Sequence, residues 1–496
     1  MSVFKTGHGI RKIGLFATSV LLFYVLGSMI IRALVPPPTA VSIDFPTRIA
    51  SSVRFFNDES WVDEAGQRRL SQRLFSALFD GIKAAKSVII VDMFLFNAWQ
   101  GPVPETHRRL SSELTDVLIG QQQRFPEMDI VVISDPINTV YGGLPSIHFE
   151  RLKSAGVHVV LTDLDKLQDS NPLWSGVWRW LIRPWGNDTG RLLPNPFGEG
   201  KVSVRSYLSL LNFKANHRKL MIADDGGEGY YGWISSANPH DGSSAHRNIA
   251  VQFDGLAVLD LLESERTLLA MSEAPHVLPI VDKAMANAKQ VLSNADPESA
   301  PKNQQIQILS ESKIHAALVE AIDSAGEGSD INMVMFYLSE RSIIESLKNA
   351  VSRGARVRIL LDVNNDAFGR KKNGVPNRPV AAELVQAGAS VRWCATLGEQ
   401  CHAKWLHVAD ADAHKFFMGS ANFTRRNLKD LNLETDILLT APSTEPVVKE
   451  MISFFERQWN NEDGKQFSVP YEQHANDSVW LKLQYRMMES TGLSTF

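Results

Sequence analysis

Asn216-His217-Arg218-Lys219-Leu220-Met221-Ile222-Ala223-Asp224 and Cys401-His402-Ala403-Lys404-Trp405-Leu406-His407-Val408-Ala409-Asp410 are the two stretches on which the reading of this chain turns. Both read as strands. On a strand, residues two apart share a face, so His217 points with Lys219 and His402 with Lys404. The first is followed by a glycine-rich turn through Gly226, Gly227 and Gly229 and a second strand ending Ser235-Ser236-Ala237-Asn238; the other is followed by Gly419-Ser420-Ala421-Asn422. The asparagines fall nineteen and eighteen residues after the lysines. A lone His-x-Lys is usually a strand surface with a basic residue. Two copies at nearly the same distance from Ser-Ala-Asn argue for an internal repeat.

Working outward, the repeat extends to whole blocks. In the first half, helical spacing over Arg69–Ala85, Ser111–Gln123 and Ile147–Ala155 alternates with strands at Ser87–Phe94, Asp129–Ser134 and Val157–Leu161. In the second, helices at Lys313–Ala325, Glu340–Arg353 and Pro379–Ala387 alternate with strands at Ile331–Tyr337, Arg356–Leu361 and Ser390–Trp393. This alternation predicts an α/β fold of two pseudo-repeated halves, each a mixed, mostly parallel sheet flanked by helices. The wording repeats too: Arg151-Leu-Lys-Ser-Ala-Gly156 and Glu383-Leu-Val-Gln-Ala-Gly388 each lead into a strand, with glycine where a helix C-cap wants it.

The boundaries read as a tail over 1–12, a membrane anchor over 13–31, a proline-containing linker over 32–50, a first domain over 51–290, a linker over 291–304 and a second domain over 305–496. Residues Ile13–Ile31 carry no charge and follow Lys5, Arg11 and Lys12. Nineteen residues at ~1.5 Å each span about 28 Å, one hydrocarbon core. The basic flank puts the catalytic part outside the cytoplasm, on the periplasmic side of the inner membrane in a bacterium. A cleaved signal peptide is the rival reading. The only cysteines, Cys394 and Cys401, can close a disulfide in an oxidising compartment or stay as plain thiols in a reducing one. A net charge of −4 weighs against a non-specific nucleic-acid binder, which carries a basic excess. Four tryptophans, Trp174, Trp178, Trp180 and Trp185, sit among arginines within the insertion Asp163–Lys214, either against lipid or against the domain.

The residue types suit phosphodiester chemistry. A neutral imidazole can attack an anionic phosphorus centre, and a second can protonate the leaving group, because histidine titrates near neutrality. Lysines neutralise the non-bridging oxygens, and asparagine amides hold them without adding a titrating group. With that donor set no metal or other cofactor is expected. The rival cluster of His402, His407, Asp410, Asp412 and His414 lacks metal-ligand spacing and reads as turn residues.

The two motifs resemble the signature of the phospholipase D superfamily, His-x-Lys-x4-Asp followed by Gly-Ser-x-Asn, and Leu211–Lys219 looks most like bacterial cardiolipin synthases. The resemblance implies two halves about a pseudo-twofold axis, one active site between them and a phosphohistidine intermediate. It implies a catalytic set of His217, Lys219, Asp224, His402, Lys404 and Glu434, with Lys219, Asn238, Lys404 and Asn422 on the phosphate and Ser236, Asn248, Asp410 and Ser420 in support. Phospholipid and membrane are the implied partners, by hydrolysis or phosphatidyl transfer; a nuclease of the same superfamily is the alternative.

Departures from that pattern matter as much. Seven residues past His402 stands Ala409, the acid arriving only at Asp410, so either a bulge restores the position or the aspartate's role is lost. Ser235 stands where glycine is usual. The acid that orients a histidine in the family is Glu434 in one half but Asn248 in the other. By the family's crossed arrangement Glu434 would serve His217, favouring His217 as nucleophile and His402 as acid.

Overall fold

The computed structural model describes residues 4–34, 41–101, 107–190, 192–227, 229–294, 303–367, 370–410, 413–492 and 494. Pro36 to Pro38, most of the second linker and Asp412 lie outside them.

Each half is built on one sheet. The first has seven strands in the order 53–57, 249–253, 230–235, 219–224, 88–93, 129–134, 158–161. The second has nine, in the order 48–49, 305–310, 435–441, 414–419, 404–409, 330–335, 356–361, 390–394, 468–470. The His-x-Lys strand occupies the same place in both: Lys219 pairs with Met93 and Lys404 with Met335, antiparallel in each case.

The expectation of mostly parallel sheets is corrected. Only 88–93 with 129–134, 129–134 with 158–161, and their counterparts 330–335 with 356–361 and 356–361 with 390–394 run parallel. Those are the pairs joined through helices, as parallel crossovers require. The remaining ladders, including Lys219–Asp224 with Tyr230–Ser235 and Lys404–Ala409 with His414–Gly419, are antiparallel.

The helix expected from Arg69 starts at Leu74. Asp63 accepts N–H bonds from Ala65 and Gln67 and makes a tight turn, so Arg68–Ser71 pairs back on Glu59–Val62 as a hairpin. From Leu74 on, Leu74, Phe75, Leu78, Phe79 and Ile82 are buried at helical spacing, and the Asp58 carboxylate accepts the N–H groups of Arg73 and Leu74 that open the helix. The glycines after the matched helices do what their position suggests. Gly156 and Gly388 have φ of +93° and +101°, and the next residues, Val157 and Ala389, bond back to the carbonyls of Leu152 and Leu384. That is a Schellman cap, repeated in both halves.

The two sheets share a core. One apolar cluster takes Ile90, Leu220, Ile222 and Val251 from the first and Ile306, Ile308, Trp405, Phe416 and Ile437 from the second. Two outer clusters each belong to one half, where helices cover the other face of its sheet. The layering is therefore helix, sheet, sheet, helix. Trp405 is fully buried at the seam, packed on Phe454 and Phe455, and its truncation to alanine should cost about 3–5 kcal/mol.

The amino-terminal helix runs Phe4–Leu34, beyond the span expected over 13–31. Among the described residues no helix is long and apolar enough to cross a membrane. One side of this helix packs on protein: Val25 is buried, a Cβ on Gly176 would touch Met29 and Val25, Ser28 accepts a hydrogen bond from Arg179, and Tyr24 meets Trp180. The tryptophan-rich insertion thus lies against the helix and not inside the first domain's core.

Candidate active site

Two crossed backbone ties bring the halves together at the histidines. The His217 N–H donates to the Leu433 carbonyl and the Leu433 N–H to the Ala215 carbonyl; His402 N–H donates to Arg247 and Arg247 N–H to Gln400. Each histidine is therefore pinned by the chain segment that carries the other half's orienting residue. His217 Nδ1 lies 2.9 and 3.0 Å from the two Glu434 carboxylate oxygens. His402 Nδ1 lies 3.0 Å from the Asn248 amide oxygen. With Nδ1–H donating in both, Nε2 is the lone-pair nitrogen of each ring. Ser420 and Ser236 hydroxyls donate to Glu434 and Asn248 respectively, and Asn427 adds a further bond to Glu434.

Aromatic rings frame the pair. Phe94 stands edge-on to His217 at 4.8 Å and Phe336 tilts on His402 at 4.9 Å. Lys219 Nζ lies 5.1 Å from the Phe94 centroid and Lys404 Nζ 5.2 Å from that of Phe336. Both lysines are buried, and each donates to the carbonyl of its own motif histidine, at 2.5 and 2.7 Å. Among the described residues neither has a carboxylate ion-pair partner.

A cavity of about 300 Å³ opens over these groups, lined by His217, His402, Asn238 and Asn422 and by apolar side chains including Phe94, Phe213 and Phe336. Asn238 Oδ1 accepts the Leu95 N–H at 3.2 Å, which leaves its NH2 for the cavity; Asn422 Oδ1 has no hydrogen-bond partner.

The electrostatics follow from burial. Desolvation, then the charges of Lys219 and Lys404, push the His217 imidazole well below its usual range, so it is a neutral base. Burial and Lys404 do the same to His402. Burial brings Lys219 down to about 7, against the pull of Glu434, and lowers Lys404 strongly. Glu434 is pushed up to about 7 by burial, opposed by Lys219. An anion placed beside the lysines reverses the lowering of the lysines and histidines, because it supplies the counter-charge their protonated forms otherwise lack.

Asp224 lies away from the cavity. Its carboxylate accepts the backbone N–H groups of Lys86, Ser87 and Val88 and the Ser87 hydroxyl, all within 2.8–2.9 Å, so it holds the turn ahead of strand 88–93. Asp410 does not repeat this. The ladder runs unbroken to Ala409 opposite His414, without a bulge, and Asp410 accepts the Ala413 N–H within its own hairpin turn. His407 faces away from His402's partners, hydrogen-bonded to Asn332 and His414. Cys394 and Cys401 form a disulfide immediately before His402.

Other supporting residues escaped the sequence reading. Asp135 and Asp362 each accept, at 2.7 Å, the backbone N–H of the residue just before a motif histidine, Asn216 and Cys401. Their signal was an aspartate directly after the second strand of each half. Arg218, fully buried, binds Glu265 and, from the other half, Glu311, both at 2.8 Å; Glu311 in turn accepts the Glu434 N–H. Ala403 stands at the matching place in the other motif, so this clamp exists on the His217 side alone.

Comparison with known proteins agrees with this geometry. Residues 318–459 match the family model described as cardiolipin synthase, PLD-like domain. No curated protein matches the chain in sequence. Among solved structures, phosphatidylserine synthase from Haemophilus influenzae is similar with a TM-score of 0.54 at 12% identity, covering 91% of this chain and 95% of that one. A phospholipase D family member, Nuc, from Salmonella typhimurium gives a TM-score of 0.26 at 20% identity over 33% of this chain and 97% of its own. Residues 318–459 are thus similar to the PLD-like domain of cardiolipin synthases, and the geometry of their motif recurs in the first half.

Proposed function

We propose that the chain is a membrane-associated enzyme that cleaves or exchanges the phosphodiester bond of phospholipids through a phosphohistidine on His217. The observation that carries this reading is the pair of Nδ1-anchored histidines on one cavity, backed by two buried lysines that lack a carboxylate partner. Those cations favour an anionic ligand, and the phosphodiester is the anion a nucleophilic imidazole can use.

The steps balance as follows. His217 Nε2 attacks phosphorus; a P–N bond forms and the P–O bond to the leaving alcohol breaks. His402, protonated once the anion has raised its affinity for a proton, gives that proton to the departing alkoxide. It then takes one from water or an acceptor alcohol, whose oxygen attacks phosphorus and breaks the P–N bond. Lys219, Lys404, Asn238 and Asn422 hold the non-bridging oxygens, where charge accumulates. Glu434 accepts the Nδ1 proton of His217 and stabilises the charge that the ring acquires.

Lipid as the substrate is supported by the surface beside the cavity. Exposed Leu15, Phe16, Leu22 and Phe23 on the amino-terminal helix adjoin exposed Leu173, Trp180 and Trp185 of the insertion it packs on. That insertion is tied to the cavity rim: Asn171 donates to the Leu211 carbonyl and Ser175 to Asn212, next to Phe213. Trp beside Arg on an apolar surface suits a membrane interface. In this reading the helix and the insertion seat the chain on a membrane surface.

Mass spectrometry of lipids after incubation with phosphatidylglycerol, with and without added alcohol, tests the reading. Phosphatidic acid or a new phosphatidyl species supports it. Unchanged lipid beside cleaved single-stranded DNA would favour the nuclease.

A further inference from the structure

The cavity carries cationic and donor groups that the phosphate-handling set does not use. Arg426 lines it, with its guanidinium carbon 5.0 Å from the Phe213 ring. Its NH2 donates to the carbonyls of Gly492 and Ser494, its buried Nε has no acceptor, and no carboxylate pairs with it among the described residues. Burial lowers its pKa to about 10, and the charge of Glu489, which forms no ion pair with it among the described residues, offsets that only in part. Lys372, also on the cavity, donates among the described residues to the Tyr337 hydroxyl, at 2.9 Å. Tyr141 lines the cavity too, close enough to Arg426 for each to act on the other's charge, and its hydroxyl makes no hydrogen bond among the described residues.

The backbone around these groups is held in costly conformations. Val140, Tyr141 and Phe213 have φ of +47°, +56° and +52°, in the left-handed region that non-glycine residues rarely adopt. Such strain costs on the order of 1 kcal/mol or more per residue and collects at ligand clamps. Here it presents the two aromatic side chains that flank Arg426. None of Arg426, Lys372 or Tyr141 hydrogen-bonds or ion-pairs with His217, His402, Lys219 or Lys404 among the described residues, so the two sets are held independently. A cavity of about 300 Å³ has room for a ligand well beyond one phosphate group.

We infer that Arg426, with Tyr141 and Lys372, forms a second phosphate-binding subsite, for a phosphate of the ligand other than the one that reacts. This rests on the phospholipid reading and narrows it to a donor or acceptor that itself bears a second phosphate.

Calorimetric binding to the full chain tests it without turnover, using inorganic phosphate and propane-1,3-diol bisphosphate. The bisphosphate should bind at least about tenfold more tightly, as a charge-assisted contact is worth, and Arg426→Gln should remove that advantage. Equal affinities in the wild type, or an advantage unchanged in Arg426→Gln, would overturn the subsite. Because Arg426 also ties down Gly492 and Ser494, Tyr141→Phe and Lys372→Gln serve if that variant unfolds; each should lessen the advantage, and no change in both overturns the proposal. Kinetics then separate the sources. If the phosphate sits on the donor, Arg426→Gln raises KM for donors with a phosphorylated headgroup over those without; if on the acceptor, it raises KM for glycerol phosphate over glycerol. A change in neither arm counts against the subsite. Failure of the wild type to turn over any phosphodiester would sink the proposed function, while the bisphosphate result would still speak to this subsite alone.

Discussion

His217 and Glu434 come from different halves of the chain, yet Nδ1 of one lies 2.9 Å from the carboxylate of the other, while His402 has only the neutral amide of Asn248. A carboxylate steadies an imidazolium better than an amide does, so the two histidines are unequal before any substrate arrives. That inequality is what favours His217 as the nucleophile of the proposed mechanism.

Glu434→Gln should therefore lower kcat by about 10- to 100-fold with KM little changed, because its loss is felt as charge develops on the ring. Rapid-quench kinetics would locate the loss in formation of the P–N bond. A KM effect alone would show that Glu434 merely shapes the cavity.

Anion binding should take up protons. Burial brings Lys219 down to about 7 and lowers Lys404 strongly too, so above neutrality a growing share of the lysine charge is missing and must be restored when an anion binds. Affinity for vanadate should thus fall as pH rises from 7 to 9, by about tenfold per unit for each proton taken up. Calorimetry in buffers of different ionisation enthalpy would count the protons directly; none taken up at pH 8 would contradict the shifts.

Asp224→Ala should weaken the fold and leave the chemistry alone. It removes the acceptor of the N–H groups of residues 86–88, that of Val88 buried, a cost of about 2 kcal/mol, and it lies away from the cavity. Burial alone would raise this carboxyl, but the N–H bonds of Val88, Ser87 and Lys86 outweigh it and hold it below the ordinary range. A lowered carboxylate stabilises the fold above its unfolded pKa, and that part is lost as pH falls through the folded one. Melting curves should therefore show the wild type losing its advantage over Asp224→Ala in acid. An equal gap at every pH would argue otherwise.

Glu311→Ala should be severe for a different reason. It leaves the buried Arg218 guanidinium with the Glu265 carboxylate and the Ser264 hydroxyl and unlocks the halves behind His217, costing about 3–5 kcal/mol. Denaturant unfolding measures this; a change under 1 kcal/mol would mean the clamp contributes little.

What could be read from the sequence followed from periodicity and repetition. The strands Lys219–Asp224 and Lys404–Ala409, the helices capped by Gly156 and Gly388, and the repeat of one half in the other depend on local pattern, and the structure has them; His217 and His402 themselves precede their strands, held by bonds to Leu433 and Arg247 that cross between the halves. The hairpin at Arg68–Ser71 was misread because two residues of Asp63-turn chemistry outweighed helical spacing that begins only at Leu74. The mostly parallel sheet was misjudged because strand direction is set by connections, and each His-x-Lys strand returns through a hairpin. Asp135 and Asp362 had only their matching places after a strand to mark them, and Arg218 and Tyr141 had nothing, since these roles depend on partners 39 to 93 residues away or on backbone angles that no spacing reports. The crossed pairing of Glu434 with His217 came from resemblance and not from any pattern in this chain.

The central claim is a covalent phosphorus–nitrogen bond on His217, and His402→Asn offers the means to catch it. A nitrophenyl phosphodiester needs little protonation of its leaving group, so this variant should release nitrophenol once and then stall, lacking the base that activates the acceptor. Base-stable digestion and mass spectrometry should then find the phosphoryl adduct on the peptide that contains His217, whereas His217→Asn should release nothing. An adduct on His402 in the His217 variant, with none on His217 in the other, would contradict the account.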